Sequence, residues 1–376
     1  MSSLPTTSRA AAAPMPAAPT HARQVFLGVS LILIAFNLRP VFGSVSVLLP
    51  EVMRDTGMGP TGASLLTTLP LLCLGIFAVP APALARRFGP ERTLFGALLP
   101  GLVKRDFPTH AAMMTGLYTL AVCAGASSST AFTVPLERHV FHGSWALTLA
   151  AWAVPAALVL LLWAPQALAA KPLPAHAQAR GGSLWHDPLA WQVMGFMGLQ
   201  SALAYIVLGW LAPLLRERGL DGAEAGYVVA LSILVQLGAC LVTPSIAARC
   251  RDQRALAVGM AAITLIAMLA LIFAPLSGRW LWAVLLGCGQ GGSFALALSL
   301  IVMRSPDSAT TAQLSAMAQG GGYVLASGGP LLAGLLRGWT GSFQSSALLL
   351  VMLALAMAWC GWGAGRRLLV KPRSSA

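Results

Sequence analysis

The chain has 376 residues, of which 57% are apolar and only 9% charged, against about 45–50% and about 25% in an ordinary globular chain. So few charges cannot clothe a water-exposed surface, which excludes a soluble domain. The net charge of +13 does not imply nucleic acid: such a partner needs basic residues gathered on one face, and here they fall in short clusters between apolar runs.

Residues 1–24, rich in Ala, Pro, Ser and Thr, read as a disordered tail. The apolar run behind them is full length, so they are not a cleaved signal. A helix needs about 20 apolar residues to cross the hydrocarbon core. Ten runs qualify: 25–49, 61–84, 111–136, 145–165, 191–214, 225–247, 255–276, 280–303, 312–336 and 345–363. Nothing reads as a strand. The fold class is therefore an all-α integral membrane protein.

The first run holds Arg39, the fifteenth of its 25 residues. An arginine at that depth costs about 2.5–3.5 kcal/mol on insertion scales. Pro40 steers Arg39 away from helical geometry and leaves the Phe36 carbonyl without its usual donor, and Asn37 adds an amide nearby. Two readings stand: a fixed cation for an anionic or strongly polar substrate, or a structural clamp on carbonyls of a neighbouring helix.

Later runs offer neutral candidates for a substrate cavity: Tyr118, Gln200, Tyr205, Gln236, Gln290, Gln319 and Tyr323. Gln319 and Tyr323 share a helical face at i, i+4. The alternative for each is an interhelical hydrogen bond. Gly320-Gly-Gly322 and Gly328-Gly329 suit close helix packing or bending. Cys73, Cys123, Cys240, Cys250, Cys288 and Cys360 have no paired spacing and read as packing residues, with neither disulfide nor metal implied.

Short cytoplasmic loops retain basic residues. With the amino terminus inside, the cytoplasmic segments hold 17 of the 24 Lys and Arg. Arg54, Arg138, Arg216, Arg218, Arg279 and Arg337 fall outside, and Arg39 lies within a span. Both termini are expected in the cytoplasm, across a bacterial inner membrane.

The runs also repeat. Pro50-Glu-Val-Met-Arg-Asp-Thr-Gly-Met resembles Pro213-Leu-Leu-Arg-Glu-Arg-Gly-Leu with one gap, and Ala85-Arg86 with Arg92-Thr-Leu matches Ala248-Arg249 with Arg254-Ala-Leu. The offset is 163 residues, the pattern of two parallel halves in one transporter. It exposes a defect: 49 residues separate Arg254 from Arg304, but only 11, residues 93–103, separate Arg92 from Lys104. At 1.5 Å per residue 11 residues reach about 17 Å, short of a core of about 30 Å. One hairpin of about 38 residues, the difference between 49 and 11, is missing from the first half. Ten full spans are expected where twelve would be complete. The units are an amino-terminal bundle over 25–165, a linker over 166–187, a six-helix bundle over 188–365 and a tail over 366–376.

Phe36-Asn-Leu-Arg-Pro40, Leu48-Leu-Pro-Glu51, Ser64-Leu-Leu-Thr-Thr-Leu-Pro70, Leu84-Ala-Arg-Arg-Phe-Gly89, Leu99-Pro-Gly-Leu-Val-Lys-Arg-Asp-Phe-Pro108 and Met114-Thr-Gly-Leu-Tyr-Thr119 resemble the cyanate permease (CynX/NimT) family of the major facilitator superfamily. The resemblance spans about residues 25–365. It implies a two-bundle carrier, normally of twelve helices, for cyanate-like anions or nitroimidazoles. It also implies a cytoplasmic gating loop at Arg86, Arg87, Gly89 and Arg92. In that loop Pro82 replaces the superfamily's first glycine and Arg86 its acid, so the acid's salt bridge is not expected. In the family a complete third and fourth helix follow Arg92.

All eleven acids and all six histidines fall in loops or at span ends, so no buried carboxylate or imidazole relay marks proton coupling. An intramembrane enzyme would need paired carboxylates, a zinc site or a nucleophile with its base, and the runs contain none. The expectation is a monomeric carrier for a small molecule in a lipid bilayer, without cofactor, metal or nucleic acid. The alternative is a transport-inactive relic of such a carrier.

Overall fold

Pro40 breaks the first apolar run where the sequence requires. In the computed structural model, which describes residues 21–78, 87, 107, 111–169 and 184–371, α1 (His21–Asn37) stops and α2 (Pro40–Thr56) restarts after Leu38 and Arg39. Pro40 sits at the first position of α2, where a missing N–H costs nothing. The Phe36 carbonyl, deprived of a donor, presses against Gly125, where any Cβ would stand 1.9 Å from its oxygen. Only glycine lets the break nest there.

The remaining helices follow the apolar runs, as hydrocarbon demands of a backbone that must satisfy itself. They are α3 (Pro60–Ala78), α4 (Ala111–His139), α5 (Trp145–Ala151), α6 (Ala153–Ala169), α7 (Pro188–Glu217), α8 (Gly222–Arg249), α9 (Arg254–Phe273), α10 (Arg279–Met303), α11 (Ser308–Ala316), α12 (Gly322–Thr340) and α13 (Ser346–Ala364). Among the described residues nine helices are long and apolar enough to cross a membrane. The run over 312–336, the ninth in sequence, is not among them; a π turn at Met317–Gly321 divides it into α11 and α12. The first helix begins at His21, four residues inside the segment expected to be a tail. The short run 93–103 lies outside the described residues.

The helices alternate between two ends. The near end carries residues 21, 254, 304 and 365; the far end carries residues 56, 139, 217 and 340. The larger core is built around α7, nearly all of whose residues are buried. A smaller, separate core joins Leu31, Ile34, Met114 and Trp163 of α1, α4 and α6.

Among the described residues the halves meet chiefly through α2 with α7, α3 with α12, and α4 with α8. Ser46 Oγ donates to the Gly209 carbonyl at 3.0 Å, a separation of 163 residues, which is the repeat offset itself. Equivalent positions of two repeats can touch only near the axis that relates them, so this bond marks that axis. Ser127 Oγ donates to the Ala230 carbonyl at 3.1 Å, and the Thr130 carbonyl reaches Gly226. At the far end Arg216 grips Glu51 with two hydrogen bonds of 2.6 and 2.8 Å, and Arg138 grips Asp221 with bonds of 2.6 and 2.9 Å. Both ion pairs bridge the halves.

Candidate functional site

The break between α1 and α2 delivers Arg39 to the surface where the halves meet. Its guanidinium carbon stands 5.5 Å from the centre of the Tyr205 ring on α7. Tyr205 in turn meets Phe42 at 5.7 Å and, edge-on, Tyr323 of α12 at 6.5 Å. Cys123 of α4 and Cys240 of α8 stand near enough to interact with the Arg39 charge. Five helices from both halves thus converge on one cation.

The Arg39 side chain makes no hydrogen bond or ion pair with any described residue. Cation–π contact contributes about 0.5–2 kcal/mol, whereas an arginine at this depth costs about 2.5–3.5 kcal/mol to insert. The ring alone does not offset the charge, and among the described residues the side chain clamps no carbonyl. Chemically, the arrangement offers five N–H donors in a planar fork, backed by an aromatic wall. Toward the far end a cavity of about 90 Å³ opens between α2, α3 and α7, lined by Phe42, Thr67, Pro70, Tyr205 and Gly209 among others.

The other expected residues divide. Tyr205 and Tyr323 join Arg39. Gln200 is buried and bonds to Ser201 Oγ at 2.7 Å and to the Met197 carbonyl of its own helix. Gln290 is buried and donates to the Leu203 carbonyl at 3.4 Å, tying α10 to α7. Asn37 donates to the Leu33 carbonyl at 2.9 Å, one turn back along α1. These three therefore stabilise helices. Tyr118 packs against the small core, and Gln236 is half-buried on α8. Gln319 donates to Ser315 Oγ at 2.7 Å and lies within a π turn, Met317–Gly321. The glycine run behaves as expected, since a Cβ on Gly198 would stand 2.9 Å from the Gly322 carbonyl.

Of the gating-loop residues, Arg87 is described and exposed; Arg86, Gly89 and Arg92 lie outside the described residues. Sequence reasoning missed Phe42, Cys123 and Cys240 at the site. Phe42 was findable, three positions past Arg39 on the restarted helix; the cysteines carried no signal beyond polarity. Among the described residues no cluster of His, Cys, Asp and Glu could hold a metal.

Two helical halves, joined around a central cation and apolar enough to span a bilayer, define a multi-pass membrane transporter. The family model described as Major Facilitator Superfamily matches residues 100–328. The chain is 33% identical to an uncharacterized transporter, YycB, of Bacillus subtilis (strain 168), over 91% of this chain and 94% of that one. It is 32% identical to the 2-nitroimidazole transporter of Escherichia coli (strain K12), covering 91% and 96%. It is 28% identical to the cyanate transport protein CynX of the same organism, covering 83% and 90%. Its fold matches a D-xylose-proton symporter at a TM-score of 0.69 and 13% identity, covering 94% of this chain and all of the other. The chain belongs to the major facilitator superfamily.

The three sequence alignments run over 377, 380 and 349 positions but take in 91%, 91% and 83% of 376 residues. Each therefore leaves about 35 to 38 positions (377, 380 and 349 less about 342, 342 and 312) with no counterpart in this chain.

Proposed function

We propose that the chain is a secondary carrier for a small anionic or strongly polar solute, of the cyanate-like or nitroimidazole-like kind. It works by alternating access, with Arg39 as the fixed cation that holds the solute between the halves. The observation that carries this reading is the guanidinium of Arg39, unpaired among the described residues, against Tyr205, with Tyr323 beyond. Similarity to carriers named for 2-nitroimidazole and cyanate supports the solute class. In this reading Arg39 donates to the solute, Tyr205 and Tyr323 pack against it, and Gln236, Gln319 and Tyr118 shape the cavity further toward the near end. No catalytic step is involved, and any coupling runs through the solute's own charge or proton.

The near end faces the cytoplasm in this reading, as the basic loops favour. A reporter fused after Lys171 should then give a cytoplasmic signal and one after Arg218 a periplasmic signal; the opposite pair reverses the orientation. The about 38 residues absent from the first half are the third and fourth helices of the fold, a proposal that the unmatched alignment positions support.

Binding tests the site itself. The purified protein should gain thermal stability with millimolar cyanate or a nitroimidazolate, and not with a neutral compound of the same shape. Equal gains from charged and neutral compounds would remove Arg39 from the binding role.

A further inference from the structure

The near end of the second half gathers more cations than acids. Arg304 is buried, 4% exposed, and its guanidinium donates only to neutral acceptors: the Ala364 carbonyl at 2.8 Å, the Gly365 carbonyl at 3.2 Å and the Gln253 side-chain oxygen. Burial, and after it the charge of Arg367, hold its pKa below the usual arginine value, opposed by Asp252. Asp252 is already engaged with Arg254, at 3.9 Å from its guanidinium and 3.3 Å from its backbone N–H. Arg254 Nε is buried and, beyond that 3.9 Å ion pair, makes no hydrogen bond with any described residue. Arg366 donates to the Gly363 carbonyl and to Gln192 Oε1, again neutral. Asp187 accepts from the backbone N–H groups of Leu189 and Lys371. Asp307, three residues past Arg304, is occupied by the Thr310 N–H and hydroxyl. Arg254, Arg304, Arg366, Arg367 and Lys371 thus outnumber Asp187, Asp252 and Asp307 here, and a local excess of this kind beside a low-dielectric phase draws anions.

The same place has an apolar rim. Gln253 N–H donates to the Gly365 carbonyl at 3.1 Å, and Val370 N–H donates to the Arg304 carbonyl at 2.9 Å, so residues 365–370 are tied down at both ends. Between the ties Leu368 and Leu369 stand 50% and 53% exposed. Trp362, whose ring carries Arg254 at 5.3 Å, is exposed, as is Trp359 about one turn deeper on α13. Tryptophan beside basic residues at a membrane boundary lies at headgroup level. A free phosphate ion would leave that rim unused.

We propose that Arg254, Arg366 and Arg367, positioned by the tied segment 365–371, seat the phosphate headgroup of an anionic phospholipid whose acyl chains lie along Trp362, Trp359 and Leu368. The test is native mass spectrometry of the full-length protein in neutral detergent, titrated with phosphatidylglycerol or with phosphatidylcholine of the same acyl chains. Phosphatidylcholine presents the same phosphate but cancels its charge with a quaternary ammonium that the arginines repel, so phosphatidylglycerol should bind about tenfold tighter. Arg254→Gln with Arg367→Gln should erase that preference. Leu368→Ser with Leu369→Ser should weaken both lipids alike. Arg367→Gln alone, on an exposed side chain, carries the same prediction if the double variant loses folded yield. Equal affinity for the two lipids, or a preference that survives Arg367→Gln, overturns the proposal. Displacement of phosphatidylglycerol by equimolar glycerol phosphate also overturns it, by reducing the site to one for a free anion.

Discussion

Arg39→Gln should abolish transport while leaving the amount of folded protein nearly unchanged. The side chain makes no hydrogen bond with any described residue, so neutralising it strands no partner and lowers an insertion cost of about 2.5–3.5 kcal/mol. The solute loses a charged donor, worth about 1.5–3 kcal/mol, which is about 10- to 150-fold in affinity. Arg39→Lys should recover only part, because an ammonium cannot reproduce the planar, two-pronged contact that guanidinium makes with an anion. Uptake in membrane vesicles, normalised to folded protein from size-exclusion profiles, separates the outcomes. Normal uptake by Arg39→Gln at equal folded yield would remove the binding role, and a collapsed yield with normal specific activity would restore the structural clamp.

Glu51→Gln should open the far end. Glu51 and Arg216 belong to different halves, are about a fifth exposed and hold each other by two hydrogen bonds, while Arg216 also donates to the Val47 carbonyl at 3.0 Å. Breaking a fully buried pair from one side costs about 3–5 kcal/mol; partial exposure reduces this to about 1–3 kcal/mol, still enough to shift a two-state equilibrium about 5- to 150-fold. Removing both charges, with Glu51→Gln and Arg216→Gln, should shift it less, because no orphan charge remains. Spin labels at Arg54 and Gln344, in a background lacking the native cysteines, report the distance between the halves at this end. A longer component that is large in the single variant and small in the double one is expected; identical distributions in all three proteins would show that the pair is not a latch. The neighbouring Arg138–Asp221 pair should persist in mild acid. Hydrogen bonds from Arg138 hold the Asp221 carboxyl below the ordinary carboxylate range. Its contribution is complete above the ordinary value of about 3.9 and is lost only as pH falls through the lower, folded-state value.

The sequence made the backbone of this account legible because the strongest constraints act locally. Pro40 can neither donate to Phe36 nor let Arg39 be helical, and the helix breaks at those residues. The repeat offset reappears as the bond from Ser46 to Gly209. The polar side chains were harder to sort. A helix apolar all round carries no stripe to mark its inward face, so Gln200, Gln290 and Tyr205 look alike until helix rotation is known. Two of them turn out to serve helices, and one faces Arg39. The π turn was illegible for a similar reason: Gly320-Gly321-Gly322 permits an extra residue in the turn but does not require it, and tight packing of Gly322 on Gly198 comes from a different helix.

Flux through the intact chain is the most direct measure of the central claim, because a carrier and its inactive relic would share the same resting fold. Purified protein reconstituted into liposomes should take up cyanate or 2-nitroimidazole saturably, and faster when the same compound is loaded inside. Arg39→Gln liposomes should match protein-free ones. Uptake by the unaltered chain no greater than that of protein-free liposomes, from monodisperse protein, would contradict the account and leave the fold as that of an inactive relic.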